Sequence, residues 1–241
     1  MIRFRSWAAS HPGSVRSHNE DSYVDRPDLG LWAVADGAGG HEAGEVASQM
    51  IKETLDSIPP GLSASELLAQ VRLRISAVHQ ALRDEAERRG PRAIIASTVV
   101  VLLARDGHFA CLWAGDSRIY LLRNGTLAQV TRDHSMVQEL VDAGAITPEE
   151  ADGHPRANVI TRAVGAGSDG LELEKTSNRL VAGDRFLLCS DGLNKTLNDA
   201  ELATLLAAQT PPPDLLVAEA LARHATDNIT AVAVEALPLP A

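Results

Sequence analysis

The sequence predicts a layered α/β fold in which helices lie outside two groups of antiparallel strands. Helical stretches with apolar residues three and four apart alternate with short runs of β-type sequence. Asp106-Gly107 and Asn124-Gly125 separate neighbouring β runs, and both dipeptides favour two-residue hairpin turns. The run from Val99 to Leu103 is apolar at every position, so we expect this strand to be covered on both faces, as in the middle of stacked layers.

Helices are predicted where the apolar period is followed by Gly or Pro. Ser63 and Glu66 form a capping box at the start of the longest helix, and Gly90-Pro91 ends it. His79 lies between its apolar positions and is expected at the surface or its boundary. The other predicted helices are 42–57, 134–143, 148–152, 199–208 and 214–224, with the Pro run 211–213 separating the last two.

Strands are predicted where the period changes to that of β structure. Their ranges are 2–9, 21–25, 31–35, 98–104, 108–114, 117–123, 126–130, 171–181, 185–189 and 229–235. The polar segment 153–166 has no clear period and is expected to form a mobile flap near the functional site. No repeat, linker or shift in composition divides the chain, so residues 1–241 are expected to form one domain.

Composition excludes several classes of function. The chain has 241 residues and a formal net charge of −10, which argues against a general nucleic-acid or anionic-membrane surface. Cys111 and Cys189 lie within predicted strands without metal-type spacing and are expected to be buried free thiols. The N-terminus lacks the apolar core of a signal peptide, and no apolar run is long enough to cross a bilayer. These features predict a cytoplasmic protein.

Three predicted strands lead into an aspartate next to a small residue. The stretch LWAVADGAGGHEAG, residues 31–44, has Asp36 among glycines that let the backbone approach a ligand. The runs CLWAGDS and FLLCSDG end likewise in Asp116 and Asp191. A single Asp-Gly is usually only a turn, but three carboxylates at one edge would require a raised pKa or a metal ion.

Seven motifs carry a resemblance to a known family. The motifs are RSHNED, ADGAGGH, AGDSRIY, TRDHS, NVITRAVG, CSDG and TDNIT, in this order from Arg16 to Thr230. Together they resemble the metal-dependent protein phosphatases (PPM family, phosphatase 2C type) in their bacterial form. The resemblance implies a layered α/β (α+β) fold, an αββα sandwich of two antiparallel β-sheets flanked by helices, in agreement with the layers expected above.

The resemblance also implies a role for particular residues. Asp36 would bridge two metal ions, and the Gly37 carbonyl would bind the second of them. Arg16 would bind the substrate phosphate. The remaining implied ligands are Asp191 and Asp227 on the first ion, Glu20 and Asp21 through metal-bound waters, and Asp116, which with Asp191 would hold a third and looser ion.

The types of these residues agree with metal-dependent phosphate hydrolysis even without the family resemblance. Carboxylate, carbonyl and water ligands without His or Cys suit hard octahedral ions such as Mg²⁺ or Mn²⁺. Two such ions can activate a bridging water for attack on phosphorus, so that no covalent phosphoenzyme is needed. The planar guanidinium of Arg16 can bind two phosphate oxygens at once.

The sequence departs from the family pattern at a few positions. Position 38 is commonly Met or a His that is the proposed general acid, and here it is Ala38. Another group must therefore protonate the leaving oxygen, and the candidates are a metal-bound water and His41, for which a role in stabilising the loop is favoured. Ala225-Thr226 and Ala96-Ser97-Thr98 replace Gly-Ser and Gly-Thr-Thr. Arg118 is expected to pair with nearby carboxylates. Asp133 and His134 are expected to cap the following helix, and Arg156 and Arg162, near the flap, are candidates for contact with a phosphoprotein.

The sequence thus favours a Mg²⁺/Mn²⁺-dependent phosphoserine/phosphothreonine protein phosphatase, acting as a monomer. Its motifs HPGSVRSHNED and HPRANVITRAVG are most similar to those of phosphatases that oppose a bacterial Ser/Thr kinase controlling a type VI secretion system. Two alternatives remain at this point. One is a non-catalytic phosphoprotein-binding module of the same fold, suggested by Ala38 and Ala225. A calcium-binding structural domain is disfavoured because the acids are scattered along the chain rather than packed into one loop.

Overall fold

The computed structural model describes residues 2–39, 43–151, 153–167, 170–208 and 212–239. Its strands form two antiparallel sheets. The first sheet has the order β1-β11-β10-β7-β8, and the second has the order β2-β3-β5-β6-β9 with β4 paired to β3. The strands are β1 Ile2–His11, β2 Asp21–Arg26, β3 Leu31–Ala38, β4 Ala96–Ser97, β5 Val99–Arg105, β6 His108–Ala114, β7 Arg118–Arg123, β8 Thr126–Gln129, β9 Glu174–Arg179, β10 Arg185–Cys189 and β11 Ile229–Pro238.

Helices cover the outer faces of the two sheets, except for the two short helices after β8, which bury none of their own residues. The helices are α1 Ala43–Asp56, α2 Ala64–Arg89, α3 Met136–Asp142, α4 Pro148–Ala151, α5 Asp191–Asn194, α6 Asp199–Leu206 and α7 Pro212–Ala222. The capping box of Ser63 and Glu66 at the start of α2 is confirmed. Although α2 has 26 residues, none of the described helices, α2 included, combines the length and apolar composition that a membrane crossing needs.

Three apolar layers hold this sandwich together. Alternate residues of β5 explain two of them, since Val99 and Val101 face α1 and α2 while Val100 and Leu102 face the other sheet. The third layer lies between the first sheet and α5 to α7 and contains residues such as Leu187. The predicted αββα sandwich and the two-sided burial of the central strand are therefore confirmed.

The predicted hairpin turns are also confirmed. Asp106 and Asn124 have φ of 52°, and the glycines that follow them have φ of 73° and 78°. Two successive residues with positive φ are the requirement of the type I′ turn, which Asn-Gly and Asp-Gly meet at little cost. These turns fix the register of β5 against β6 and of β7 against β8.

Several predicted boundaries were wrong. β3 does not end before Asp36, because Gly37 and Ala38 pair with Ser97 and Ala96. The strand predicted over 98–104 is β5, which begins and ends one residue later, and the short strand β4 before it was not predicted. β9 is shorter than the predicted range 171–181. α7 begins at Pro212, inside the Pro run, since the first turn of a helix tolerates proline. The predicted helix start at residue 42 and helix end at residue 152 lie outside the described residues.

Candidate active site

Two carboxylates face each other across the ladder of β2 and β3. Asp21 is the register partner of Asp36, and β2 begins directly after the segment that carries Arg16 and Glu20. Like charges directly opposite each other in an antiparallel pair destabilise the sheet. The backbone of Asp36 is fixed from the other side, because its carbonyl oxygen accepts hydrogen bonds from Thr98 N at 2.8 Å and Ser97 Oγ at 3.0 Å.

Asp21 is held in place by the first sheet. Its Oδ2 atom accepts a hydrogen bond of 2.7 Å from Ser190 Oγ, and Ser190 Oγ in turn accepts one of 2.9 Å from Thr230 N. The residue is only 8% exposed, and its other oxygen, Oδ1, is buried without a hydrogen-bond partner. A buried carboxylate oxygen without a partner is costly, so this position calls for a proton, a water or a cation.

Asp116 repeats this situation on the turn between β6 and β7. The residue is 5% exposed, and its Oδ1 atom is buried without a hydrogen-bond partner. The turn is tight, because Gly115 has φ of 117° and a Cβ there would lie 2.5 Å from Cβ of Thr98. Ser117 Oγ and Thr98 Oγ1 are 2.7 Å apart and join the turn to the end of β4.

Asp191 and Asp227 complete the cluster from the first sheet. Asp191 is the first residue of α5, and Lys195, one turn later, donates a hydrogen bond to its Oδ2 atom. Asp227 precedes β11 and forms a bidentate ion pair with Arg16, in which both N–O distances are 3.0 Å. Asn228 fixes this region, since it accepts from Glu20 N and donates to the carbonyl oxygens of Pro12 and His18.

Burial and mutual repulsion raise the pKa values of three of these carboxyl groups. Burial raises the pKa of Asp36 well above its usual value, and the charges of its four carboxylate neighbours raise it further; these are Asp21, Asp191, Asp116 and Asp227. Burial is also the main cause that raises the pKa of Asp21 and of Asp116, each to about 7. The cluster therefore holds more negative charge than its two cations, Arg16 and Lys195, offset.

Gly37 lies at a position that only glycine can occupy. A Cβ at this position would lie 2.0 Å from the carbonyl oxygen of Gly44 and 2.7 Å from that of Glu20, so no larger residue fits. Gly37 N donates to Glu20 O at 3.1 Å, which packs the strand against the segment before β2. Its neighbour Ala38 provides no polar side chain, and His41 lies outside the described residues.

The donor set fits a hard divalent cation that keeps part of its water. Among the described residues, no three His, Cys, Asp or Glu side chains are placed to hold an ion by their own contacts alone. Mg²⁺ usually retains several waters and is bound in proteins through one or two carboxylates, so buried carboxylates such as Asp21 and Asp116 are suitable ligands for it. The unpartnered oxygens of Asp21 and Asp116 are the observations that favour such an ion.

Asp133 and His134, just before α3, form hydrogen bonds and ion pairs with other parts of the fold. Arg118 pairs with both carboxylate oxygens of Asp133, as predicted. The prediction that Asp133 and His134 cap α3 was wrong, because Ser135 is the N-cap and accepts from Gln138 N. His134 instead accepts a hydrogen bond from Gly115 N and lies 2.9 Å from a carboxylate oxygen of Glu174.

Sequence reasoning missed four residues that position the cluster: Ser190, Lys195, Asn228 and Thr230. Lys195 could have been found from its spacing, since it follows Asp191 by four residues, but the short helix α5 was not predicted. His79 was expected near the surface and is in fact 3% exposed, where its Nδ1 atom accepts from Gly165 N. Cys111 and Cys189 are buried free thiols, as predicted.

Comparison with known proteins gives a consistent result. The family model for protein phosphatase 2C matches residues 14–215. The serine/threonine protein phosphatase PstP of Mycobacterium tuberculosis is 39% identical over 231 residues, which are 93% of this chain but 43% of PstP. The chain thus spans less than half the length of that relative. The serine/threonine phosphatase stp of Listeria welshimeri is 33% identical over 92% of both chains.

Solved structures agree with these relatives. PppA, described as a key regulatory component of T6SS in Pseudomonas aeruginosa, superimposes with a TM-score of 0.89 at 46% identity and covers 98% of both chains. The catalytic domain of PstP, solved in complex with two manganese ions, gives a TM-score of 0.83 at 36% identity and covers 99% of this chain and all of that one.

Proposed function

Because this chain belongs to the protein phosphatase 2C family, we propose that it is a Mg²⁺- or Mn²⁺-dependent protein phosphatase that hydrolyses phosphoserine and phosphothreonine. The observation that carries the proposal is the cluster of five aspartates with raised pKa at Asp36 and with unpartnered buried oxygens at Asp21 and Asp116. The manganese complex of the related PstP domain supports the choice of metal.

The proposed ligands are divided between the two sheets. Asp36 and the Gly37 carbonyl come from β3, while Asp191 and Asp227 come from the ends of β10 and β11. Glu20 and Asp21 would hold waters of the ions, and Asp116 would act together with Asp191. When bound, two such ions lower the pKa of a shared water and offset the negative charge of a phosphate.

The remaining chemistry belongs to the chain itself. Arg16 is 54% exposed and its guanidinium faces the cluster at Asp227, so it can exchange this carboxylate for two oxygens of an incoming phosphate. Ser190 and Thr230 hold the Asp21 carboxylate in a fixed orientation. Since Ala38 cannot donate a proton, we propose that water protonates the leaving oxygen of the substrate.

The proposal extends to the partner. The substrate is a phosphorylated protein, and the likeness to PppA supports a role against a Ser/Thr kinase in control of type VI secretion. We further propose that the chain acts as a monomer, which predicts a solution mass near 25.6 kDa by light scattering.

The test is hydrolysis of p-nitrophenyl phosphate and of a phosphothreonine peptide in EDTA, Mg²⁺ or Mn²⁺. We expect turnover that requires metal and is lost in Asp191→Asn. Glu235→Gln is the matched control, because it replaces a carboxylate by an amide at the other end of the same sheet. Wild-type activity of Asp191→Asn would refute the site assignment. A folded protein that binds the phosphopeptide but hydrolyses it under no metal would support the non-catalytic binding module.

A further inference from the structure

The Lys195 ammonium lies at the outer part of the aspartate cluster. Its Nζ atom donates to Asp191 Oδ2 and, at 2.7 Å, to Asn158 Oδ1 of the segment 131–166. Its position is determined by α5, where Lys195 is the C-cap and its N–H donates to the Asp191 carbonyl oxygen at 2.9 Å. The ammonium is thus tied to the cluster by one helical turn and to a separate segment by Asn158.

The charge of Lys195 acts on more than one carboxylate. Burial lowers the pKa of Lys195, but the attraction of Asp191 and then of Asp116 and Asp36 outweighs burial and raises it. Lys195 is in turn the cation that lowers the pKa of Asp116, against the larger effect of burial. The ammonium therefore carries a fixed positive charge to the region between Asp116 and Asp191.

Asp116 supplies an independent observation at the same place. Its Oδ1 atom is buried without a hydrogen-bond partner, and only 5% of the residue is exposed. Among the described residues Lys195 forms an ion pair with Asp191 and not with Asp116, so its positive charge acts on the Asp116 carboxyl group from a distance.

We infer that the Lys195 ammonium takes the place of a third metal ion between Asp116 and Asp191, so that the chain binds divalent ions at two positions only. The inference rests on the proposed function, because it concerns the outer edge of the same metal site. Asn158 orients the ammonium. A hydrated divalent ion in the outer position would have to displace Lys195 from Asp191, and two cations so close together repel each other.

The experiment is titration of the metal-free protein with Mn²⁺ by calorimetry, with bound metal counted by elemental analysis after equilibrium dialysis. We expect about two ions per chain for the wild type and about three for Lys195→Ala, the third being weaker. Lys195→Arg is the matched control and should keep about two, since it keeps the charge. The double variant Lys195→Ala/Asp116→Asn should return to about two, because the third ion loses a ligand.

The outcomes separate this inference from the proposed function. About three ions in the wild type, or the same number in wild type and Lys195→Ala, would overturn the inference and leave the metal-dependent phosphatase standing. Absence of Mn²⁺ binding in a wild-type protein with a cooperative thermal transition would overturn the proposed function, and the inference would fall with it. Thermal unfolding of each metal-free variant shows whether it is folded before the ions are counted.

Discussion

Carboxylates at the two ends of the sandwich have opposite environments. At one end, Glu235 accepts hydrogen bonds from Arg5 and Arg185, with shortest distances of 2.6 Å and 3.0 Å. Burial raises the pKa of Glu235, but the two arginines outweigh it, so the pKa lies below its usual value. Asp184 nearby is 1% exposed and pairs with both donor groups of Arg123.

At the other end, carboxylates face carboxylates. Asp21 and Asp36 are register partners, and burial together with repulsion raises the pKa of Asp36. A buried carboxylate that is held by two arginines, as Glu235 is, stabilises the fold and has no oxygen left for an outside cation. One that is left without a partner costs stability and attracts a cation from outside. The comparison therefore separates carboxylates that hold the structure from those that serve the proposed chemistry.

The largest expected effect comes from neutralising the centre of the unpaired end. Asp36→Asn should lower kcat/KM at least about 100-fold, because it removes the bridging carboxylate from the proposed ions. The same change should raise the unfolding temperature of the metal-free protein, since it relieves repulsion from Asp21. Kinetics with Mn²⁺ and calorimetric melting in EDTA measure both. A variant that is both active and less stable would contradict the comparison.

The Arg16 prediction concerns the cation that borders the cluster. Arg16→Lys should lower kcat/KM by about 10- to 100-fold, because a lysine cannot form the paired hydrogen bonds to phosphate that a guanidinium forms. Its ion pair with Asp227 is largely exposed, so the unfolding temperature should change little. Steady-state kinetics on the phosphothreonine peptide test the first expectation. Unchanged kcat/KM would show that Arg16 does not contact the phosphate.

The pH dependence of the metal-free protein should reveal the unpaired end directly. Asp21 and Asp116 have pKa values of about 7 in the folded chain, above the unfolded value of about 4. At these two groups the folded state binds protons more tightly than the unfolded state, so their contribution to stability is complete below about pH 4 and is lost as pH rises through 7.

Melting in EDTA from pH 5 to pH 8 tests this sign, with each kcal/mol expected to shift the midpoint by about 2–4 °C. Saturating Mn²⁺ at pH 8 should restore the midpoint, because the cation replaces the protons. Asp36→Asn is the matched control and should show a flatter pH profile. A midpoint that rises with pH in EDTA would contradict the assignment of raised pKa values to this cluster.

The smallest effect on activity is expected at the paired end. Glu235→Gln should cost about 1–3 kcal/mol of unfolding free energy, since two arginines lose a charged acceptor. Its activity and its Mn²⁺ binding should equal those of the wild type. Denaturant unfolding and the kinetic assay measure the two quantities. A loss of activity without a loss of stability would mean that the two ends are coupled rather than separate.

The sequence predicted the parts of the site that depend on local chemistry. Asp36 and Asp191 stand out because an apolar strand leads into an aspartate and a glycine, and the hairpin glycines fix the neighbouring strands. The register that sets Asp21 opposite Asp36 depends on the pairing of two strands, which local patterns do not specify.

Contacts between segments that are distant in the sequence could not be predicted either. Asn228 joins the turn before β11 to the carbonyl groups of residues 12 and 18, more than 200 positions away. Ser135 rather than Asp133 caps α3 because Arg118 already occupies Asp133. In such cases a residue with several possible partners takes the one that the tertiary fold brings to it.

The pairing of β1 with β11 has a consequence for the order in which the protein matures. Ile2 to His11 pair with Ile229 to Pro238 along their whole length, and Arg16 meets Asp227 just beyond that ladder. During synthesis Arg16 is therefore present long before β11 and Asp227, which orient its side chain, have been made. Nascent chains and fragments without β11 should lack the proposed hydrolytic activity, because that activity requires β11 to close the sheet.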